Sequence, residues 1–172
     1  MNMKQFNVKK IMLIPLLFSV LLTSCTDNSS DAKTYERYIY QIEDASLHMP
    51  KLEELGNYKK FKAIKKSTFE FFITDTIALF VEYDHDEYLK QLQVIGEKYT
   101  FLDGPKETIY DVSATVNGYD FKVSSETYWT YSHEMLLIGL KEDKIAYLYH
   151  YDGDLDLIDN LESFIKHYYS FK

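Results

Sequence analysis

The sequence predicts an α+β domain with an antiparallel sheet and helices mainly on one face. Two observations carry this prediction. Several short segments are rich in aromatic and β-branched residues and are separated by turn-forming residues, as strands joined by hairpins are. Three other segments place apolar residues at helical spacing, one that begins at Tyr35, one in the middle of the chain and one at the C-terminus.

The three predicted helices each have one apolar stripe. The first runs from Tyr35 to about Ser46, and Pro50 closes it. The second is "DEYLKQLQVIGEKY", and the third runs from Leu155 to Tyr169. The stripes are Tyr35, Tyr38, Ile39 and Ile42 in the first helix, Tyr88, Leu92, Ile95 and Tyr99 in the second, and Ile158, Leu161, Ile165 and Tyr168 in the third.

The predicted strands form hairpins. "TFEFFIT" and "IALFVEY" are strand-like, with "TDT" as the turn between them. "VSATVNGYDFKV" is the strongest hairpin signal, because Asn117-Gly118 tolerates the positive φ that a type I′ turn needs. "MLLIGL" and "KIAYLYHYD" form another hairpin across "KEDK", and Tyr147, Tyr149 and Tyr151 share one sheet face.

The two halves of the chain resemble each other. "IALFVEYDHD", which begins at Ile77, is identical at five of ten positions to "IAYLYHYDGD", which begins at Ile145. The order strand, turn, strand, aspartates, helix occurs in both copies. This similarity predicts two ββα halves, 58–102 and 111–172, with the early helix beside them. If the halves are duplicates, both helices should superpose on the same face of the sheet.

The N-terminus is typical of an export signal. Three lysines precede the apolar run "IMLIPLLFSVLL", and no acid occurs before Asp27. Twelve helical residues span about 18 Å, which is shorter than the roughly 30 Å hydrocarbon core of a bilayer. The run is therefore predicted to be the apolar region of a signal peptide, residues 1–24.

The four residues "LTSC", Leu22-Thr23-Ser24-Cys25, resemble the lipobox of bacterial lipoprotein precursors. The resemblance implies that Cys25 is acylated and becomes the first residue of a mature protein anchored on the outer side of a bacterial membrane. Cys25 is the only cysteine, so the domain is expected to fold without disulfides. Residues 25–34 are predicted to be a flexible tether and residues 35–172 a single domain.

The mature domain adds little to this assignment. The stretches "HMPKLEELGNY", "EKYTFLD" and "IAYLYHYD" resemble small lipoproteins of Gram-positive bacteria, a group that implies no activity. Loss of residues 1–24 removes three lysines and no acids, so the net charge changes from −8 to −11. Such an acidic domain is repelled by nucleic acid, so no nucleic-acid partner is expected.

The stretch "YDGDLDLIDN" has two interpretations. Asp152, Asp154 and Asp156 alternate as in calcium loops, but the glycine and glutamate that such a loop needs at its sixth and twelfth positions are absent. Acids at the start of a helix also cap free backbone N–H groups. We therefore expect Asp152 or Asp154 to cap the last helix and no metal to bind, with weak calcium binding as the alternative.

An aromatic segment is the best candidate for a binding surface. Tyr128, Trp129 and Tyr131 occur in what looks like a loop between strands, where tyrosine and tryptophan supply contact area for proteins or glycans. The chain has no HExxH, G-x-S-x-G or phosphate-loop motif, so no catalytic residue and no cofactor is predicted.

The sequence therefore favours a non-enzymatic, membrane-anchored binding or interaction module. The alternative is an extracytoplasmic hydrolase that acts on envelope material. A buried histidine–carboxylate pair in a cleft would distinguish the hydrolase from the binding module.

Overall fold

The computed structural model describes residues 25–172 except 43, 70–72, 105–109, 130–131, 154–157 and 170–172, with only the backbone of Phe69, Tyr128 and Trp129. In this part of the chain, seven strands form one antiparallel sheet. They are β1 (Cys25–Ser29), β2 (Tyr58–Phe69), β3 (Ile73–Tyr83), β4 (Ser113–Val116), β5 (Tyr119–Trp129), β6 (Ser132–Lys141) and β7 (Lys144–Asp152).

Four helices pack on this sheet, which confirms the predicted α+β class. They are α1 (Ala32–Gln41), α2 (Ala45–His48), α3 (His85–Lys98) and α4 (Leu161–Tyr169), and a 3₁₀ turn spans Leu52–Glu54. None of the described helices is both long and apolar enough to span a bilayer.

The sheet consists of two meanders that meet at its centre. The strand order is β1-β2-β3-β7-β6-β5-β4, so the last strand of one meander pairs with the last strand of the other. Ala78 of β3 lies opposite Leu148 of β7 in this central pair. Because the central strands are covered on both faces, they carry nearly continuous apolar runs rather than strict alternation.

The face that carries Tyr147 and Tyr149, here called the front face, is covered by α1, α2 and α3. Its core combines sheet residues with Ile39 of α1 and Ile95 of α3. Tyr147 and Tyr149 are fully buried, so the predicted tyrosine stripe does share one face and packs in the core. Tyrosine suits this position because its ring fills the layer between helix and sheet.

The face that carries Ala146 and Leu148, here called the back face, is covered by α4. Leu161, Phe164 and Ile165 of this helix are buried against it. The predicted helix began at Leu155, but the described helix begins at Leu161. With three helices in front and one behind, helices lie mainly on one face, as predicted.

Two of the predicted turns are confirmed and one is wrong. Asn117 and Gly118 have φ of 52° and 78° at the β4–β5 turn, and Asp143 has φ of 55° at the β6–β7 turn. The predicted "TDT" turn instead lies within β3, where Thr74 and Thr76 pair with β7. The short polar side chains suggested a turn, but pairing with strands on both sides keeps this segment extended.

The predicted flexible tether is an edge strand. Cys25 to Ser29 pair with β2 through backbone hydrogen bonds, with Cys25 opposite Ser67, and α1 begins at Ala32. The polar composition of this segment suggested flexibility, but an edge strand needs no apolar side chains on its solvent side.

The repeated element order is present, but the superposition expected of a duplication fails. Both β2-β3-α3 and β6-β7-α4 follow the ββα order. Ile95 of α3 packs on the front face, however, whereas Ile165 of α4 packs on the back face. A twofold axis between β3 and β7 would keep both helices on one face, so the similarity reflects a shared local pattern.

Candidate functional site

An open groove lies on the back face beside α4. The nine-residue helix covers β4 to β7, and no other helix among the described residues covers the back of β1, β2 and part of β3. The groove has a volume of about 400 Å³. Its walls are Thr26 and Asn28 of β1, Ile64 and Lys66 of β2, Thr76 and Ala78 of β3, and Tyr168 and Tyr169 of α4.

Strand register explains why these side chains meet. Thr26 lies opposite Lys66 and Asn28 opposite Ile64, so all four point to the same face. Ile64 in turn lies opposite Ala78 of β3. The small alanine side chain leaves room in the floor, and the groove deepens there.

Two polar groups in the groove have no partner among the described residues. The Lys66 ammonium group forms no ion pair there, although other lysines such as Lys59 and Lys60 do. The Tyr169 hydroxyl is buried without a hydrogen bond to any described residue. Burial raises the pKa of Tyr169 well above its usual value, so it remains a neutral donor at physiological pH.

A buried polar cluster closes the groove behind Tyr168. The Tyr168 hydroxyl donates to Asp152 Oδ2 over 3.4 Å, and the Thr74 hydroxyl donates to Asp152 Oδ1 over 3.0 Å. The His150 ring lies against the Tyr168 ring, with 4.3 Å between centroids. Burial lowers the pKa of His150 well below its usual value, and His133 and His167 add to the effect, so the ring is neutral.

A second histidine extends this cluster away from the groove. His133 Nε2 lies 2.7 Å from Glu126 Oε1, and both side chains are almost inaccessible to solvent. The His133 and His150 rings are 5.6 Å apart. Because both side chains are almost inaccessible to solvent, the Glu126–His133 pair is not the histidine–carboxylate pair in a cleft that the hydrolase alternative requires.

On the front face, a half-buried histidine lies beside a buried carboxylate at the edge of a cavity. A cavity of about 210 Å³ lies between α2, the end of α3 and β5. His48 Nδ1 lies 3.5 Å from Ser125 Oγ, and His48 Nε2 lies 3.4 Å from Glu134 Oε1. Both His48 and Ser125 line the cavity, and 32% of the His48 side chain is exposed.

None of these side chains was predicted from the sequence. His48, Ser125 and Glu134 come from three separate elements, and no local motif marks them. Lys66 is one of many lysines, and only the sheet register places it in a groove. Pairing of distant strands brings both sites together, so no pattern within a short window could reveal them.

The predicted acidic site is only partly described. Asp152 ends β7 and is buried beneath α4, while Asp154 and Asp156 lie outside the described residues. The prediction that Asp152 caps the last helix is wrong, because Asn160 Oδ1 accepts the hydrogen bond from the Ser163 backbone N–H over 2.9 Å. Asp152 instead accepts hydrogen bonds from the hydroxyls of Thr74 and Tyr168. The described residues contain no group of three or more metal-ligating side chains.

The predicted aromatic surface is also only partly described. Tyr128 and Trp129 belong to the end of β5, so the prediction that they lie in a loop is wrong. Their side chains, and all of Tyr131, lie outside what the structure describes. Cys25, the predicted lipid attachment site, is an exposed free cysteine at the start of β1.

Comparison with known proteins supplies no family for this chain. No family model, no curated protein and no solved structure shows significant similarity to it.

Proposed function

We propose that the protein is a lipid-anchored extracytoplasmic binding module whose back-face groove binds a small molecule with an anionic group and an apolar body. The single observation that carries the proposal is the groove itself, which combines an ammonium group and apolar walls in an otherwise acidic chain. Lys66 would contact the anionic group through its ammonium group. Ile64 and Ala78 would contact the apolar body.

The position of Cys25 supports a ligand that comes from near the membrane. Thr26, which follows Cys25 directly, is part of the groove wall. With two or more acyl chains on Cys25, attachment to the bilayer would be lasting. The mouth of the groove would then lie within a few residues of the lipid surface, where amphipathic anions are concentrated.

The anchor is tested by labelling cells with radioactive palmitate. We expect label in the wild-type protein and none in Cys25→Ala, which should also leave the membrane fraction, because the thiol is the acyl acceptor. Label that persists in the alanine variant would contradict the anchor.

The groove is tested with 8-anilinonaphthalene-1-sulfonate, which carries a sulfonate group on an aromatic body. The mature chain from residue 25 with Cys25→Ala retains β1 and avoids lipid. We expect saturable binding at one site, weakened at least about tenfold by Lys66→Glu, because a tenfold loss needs only about 1.4 kcal/mol of lost attraction and new repulsion.

Lys62→Glu is the matched control. Lys62 lies on the same strand and the same sheet face as Lys66 but does not line the groove. Lys62→Glu changes the net charge by the same amount as Lys66→Glu. Equal binding by wild type, Lys66→Glu and Lys62→Glu, or binding that does not saturate, would contradict the groove as the ligand site.

A further inference from the structure

The front-face cavity is lined by a serine and a histidine, and a buried carboxylate lies behind the histidine. His48 lies between Ser125 on one ring nitrogen and Glu134 on the other, at 3.5 Å and 3.4 Å. A hydroxyl, an imidazole and a carboxylate in a row are recognised by geometry and not by chain order. Such contacts are commonly loose before substrate binds and tighten in the reacting complex.

A break in strand register directs the Ser125 side chain toward the cavity. The pairing of β5 with β6 shifts register between Val123 and Ser125, so Ser125 lies opposite Leu136 on the front face. Bulges of this kind re-aim side chains next to active sites. His48 is the last residue of the short helix α2, which places its ring over the strand that carries the serine.

The imidazole is held on two sides. Its ring stacks on Tyr149, with 6.1 Å between centroids and an interplanar angle of 21°. The Tyr149 hydroxyl also donates to Glu134 Oε1 over 2.6 Å, and this fixes the carboxylate that faces His48. Burial and the hydrogen bond to Glu134 raise the pKa of Tyr149, so the phenol keeps its proton.

The cavity suits a small substrate. Its volume of about 210 Å³ is below the usual range of about 300–1,000 Å³ for sites that hold drug-sized molecules. Leu47 and Leu136 supply apolar walls, and Lys98 brings a positive charge to the rim. The Lys98 ammonium group is paired with Glu54 Oε2 over 2.5 Å, so it marks the rim and is not assigned a role in the reaction. An ester with a short acyl chain fits the apolar walls.

We propose that this cavity is a second functional site, a serine esterase site for short-chain esters, in which Ser125 is the nucleophile and His48 the general base. The proposal goes beyond the binding function, because it uses the opposite face of the sheet and shares no residue with the groove. Glu134 is a positioning residue that orients the imidazole and stabilises its protonated form.

The reaction would proceed in two balanced steps. Ser125 Oγ bonds to the carbonyl carbon of the ester while its proton moves to His48, and the intermediate collapses as the alcohol leaves with that proton. Water then attacks the acyl-serine, again giving its proton to His48. The carboxylic acid leaves, and Ser125 recovers its hydroxyl hydrogen from His48. No oxidant, metal or cofactor is consumed.

The experiment uses the full lipidated protein in mild detergent, with a fluorophosphonate probe and p-nitrophenyl acetate as substrates. We expect the probe to label Ser125, as located by mass spectrometry, with loss of fluoride. Ser125→Ala should lose both labelling and ester hydrolysis. His48→Gln should lower kcat by about 100-fold to 10,000-fold, the usual contribution of a general base.

Ser113→Ala is the matched control, since Ser113 is an exposed serine on β4 and lies outside the cavity wall. It should keep full labelling and turnover. Glu134→Gln should lower kcat with little change in KM, which separates a positioning role from a role in packing. Melting curves of all variants identify any that are unfolded.

Two results would overturn the proposal. One is a folded wild-type protein that neither reacts with the probe nor hydrolyses the ester faster than buffer. The other is labelling of Ser125→Ala equal to that of the wild type. Neither result bears on ligand binding in the back-face groove, so the two proposals fail separately.

Discussion

The two faces of the sheet differ in how completely they are covered. Three helices cover the front face, and its core extends from β2 across β3 and β7 to β6. In the part of the chain that the structure describes, one helix of nine residues covers the back face and no helix covers the outer strands on that side. The comparison shows that a sheet of seven strands is wider than one short helix can cover, so an open surface remains beside α4.

The faces also differ in the histidines that they bury. The front face buries tyrosines and the carboxyl group of Glu134, and burial raises the pKa of Tyr147 well above its usual value, so its hydroxyl does not titrate near neutral pH. The back face buries the imidazole of His150, and burial lowers the pKa of this ring well below its usual value. We therefore expect protonation of His150 in acid to destabilise the packing of the back face.

The largest expected effect is a difference in unfolding free energy between a substitution in the covered front face and one in the open back face. Leu79→Ala removes a fully buried side chain from the front core and should lower the free energy of unfolding by about 2–5 kcal/mol. Ile64→Ala, in the half-buried wall of the groove, should cost about 1 kcal/mol, since only part of its surface leaves water on folding. Urea unfolding of both variants measures the difference. Equal losses of unfolding free energy in the two variants would mean that Ile64 is as fully buried as Leu79 and that the groove is closed.

The second prediction uses pH to test the back face. The pKa of His150 is depressed in the folded protein, so unfolding takes up a proton below the unfolded value of about 6.5, and stability falls as pH falls. The uptake of one proton on unfolding sets the maximum slope, about 1.4 kcal/mol per pH unit. His150→Leu should remove most of this dependence in urea unfolding at each pH.

His85 provides the control of opposite sign. A hydrogen bond to Asp143 raises the pKa of this exposed histidine, so its contribution is present below its unfolded pKa and disappears as pH rises through the folded pKa. His85→Gln should therefore leave the loss of stability in acid in place. A His150→Leu variant that is as acid-sensitive as wild type would refute the assignment to the back face.

The smallest effect concerns the only described helix over the back face. Asn160→Ala removes the side chain that caps α4 and should lower the free energy of unfolding by about 1 kcal/mol. Asp159→Ala, at the exposed neighbour, should change it by less than about 0.5 kcal/mol. Hydrogen exchange of the α4 amides should increase in the first variant alone. Similar exchange in both would show that Asn160 does not hold the first turn.

Local signals predicted much of the fold. The Asn117-Gly118 turn was readable because positive φ at two successive positions strongly favours these residues. The apolar stripe of α3, which contains Ile95, and the shared face of the β7 tyrosines could be predicted because helices and strands have fixed side-chain periods. Predictions failed where composition was ambiguous, as at Thr74 and Thr76, and at the N-terminal segment that pairs as β1.

Local pattern alone determined that this chain forms hairpins and amphipathic helices in this order, since turn chemistry and apolar periodicity act over a few residues. The resemblance to a lipobox at Cys25 also comes from local pattern alone. Only the tertiary structure decided that α3 and α4 lie on opposite faces, that Lys66 lines a groove and that His48 meets Ser125 and Glu134. These contacts join residues far apart in the chain, and their formation depends on which strands pair and on the face to which each helix returns.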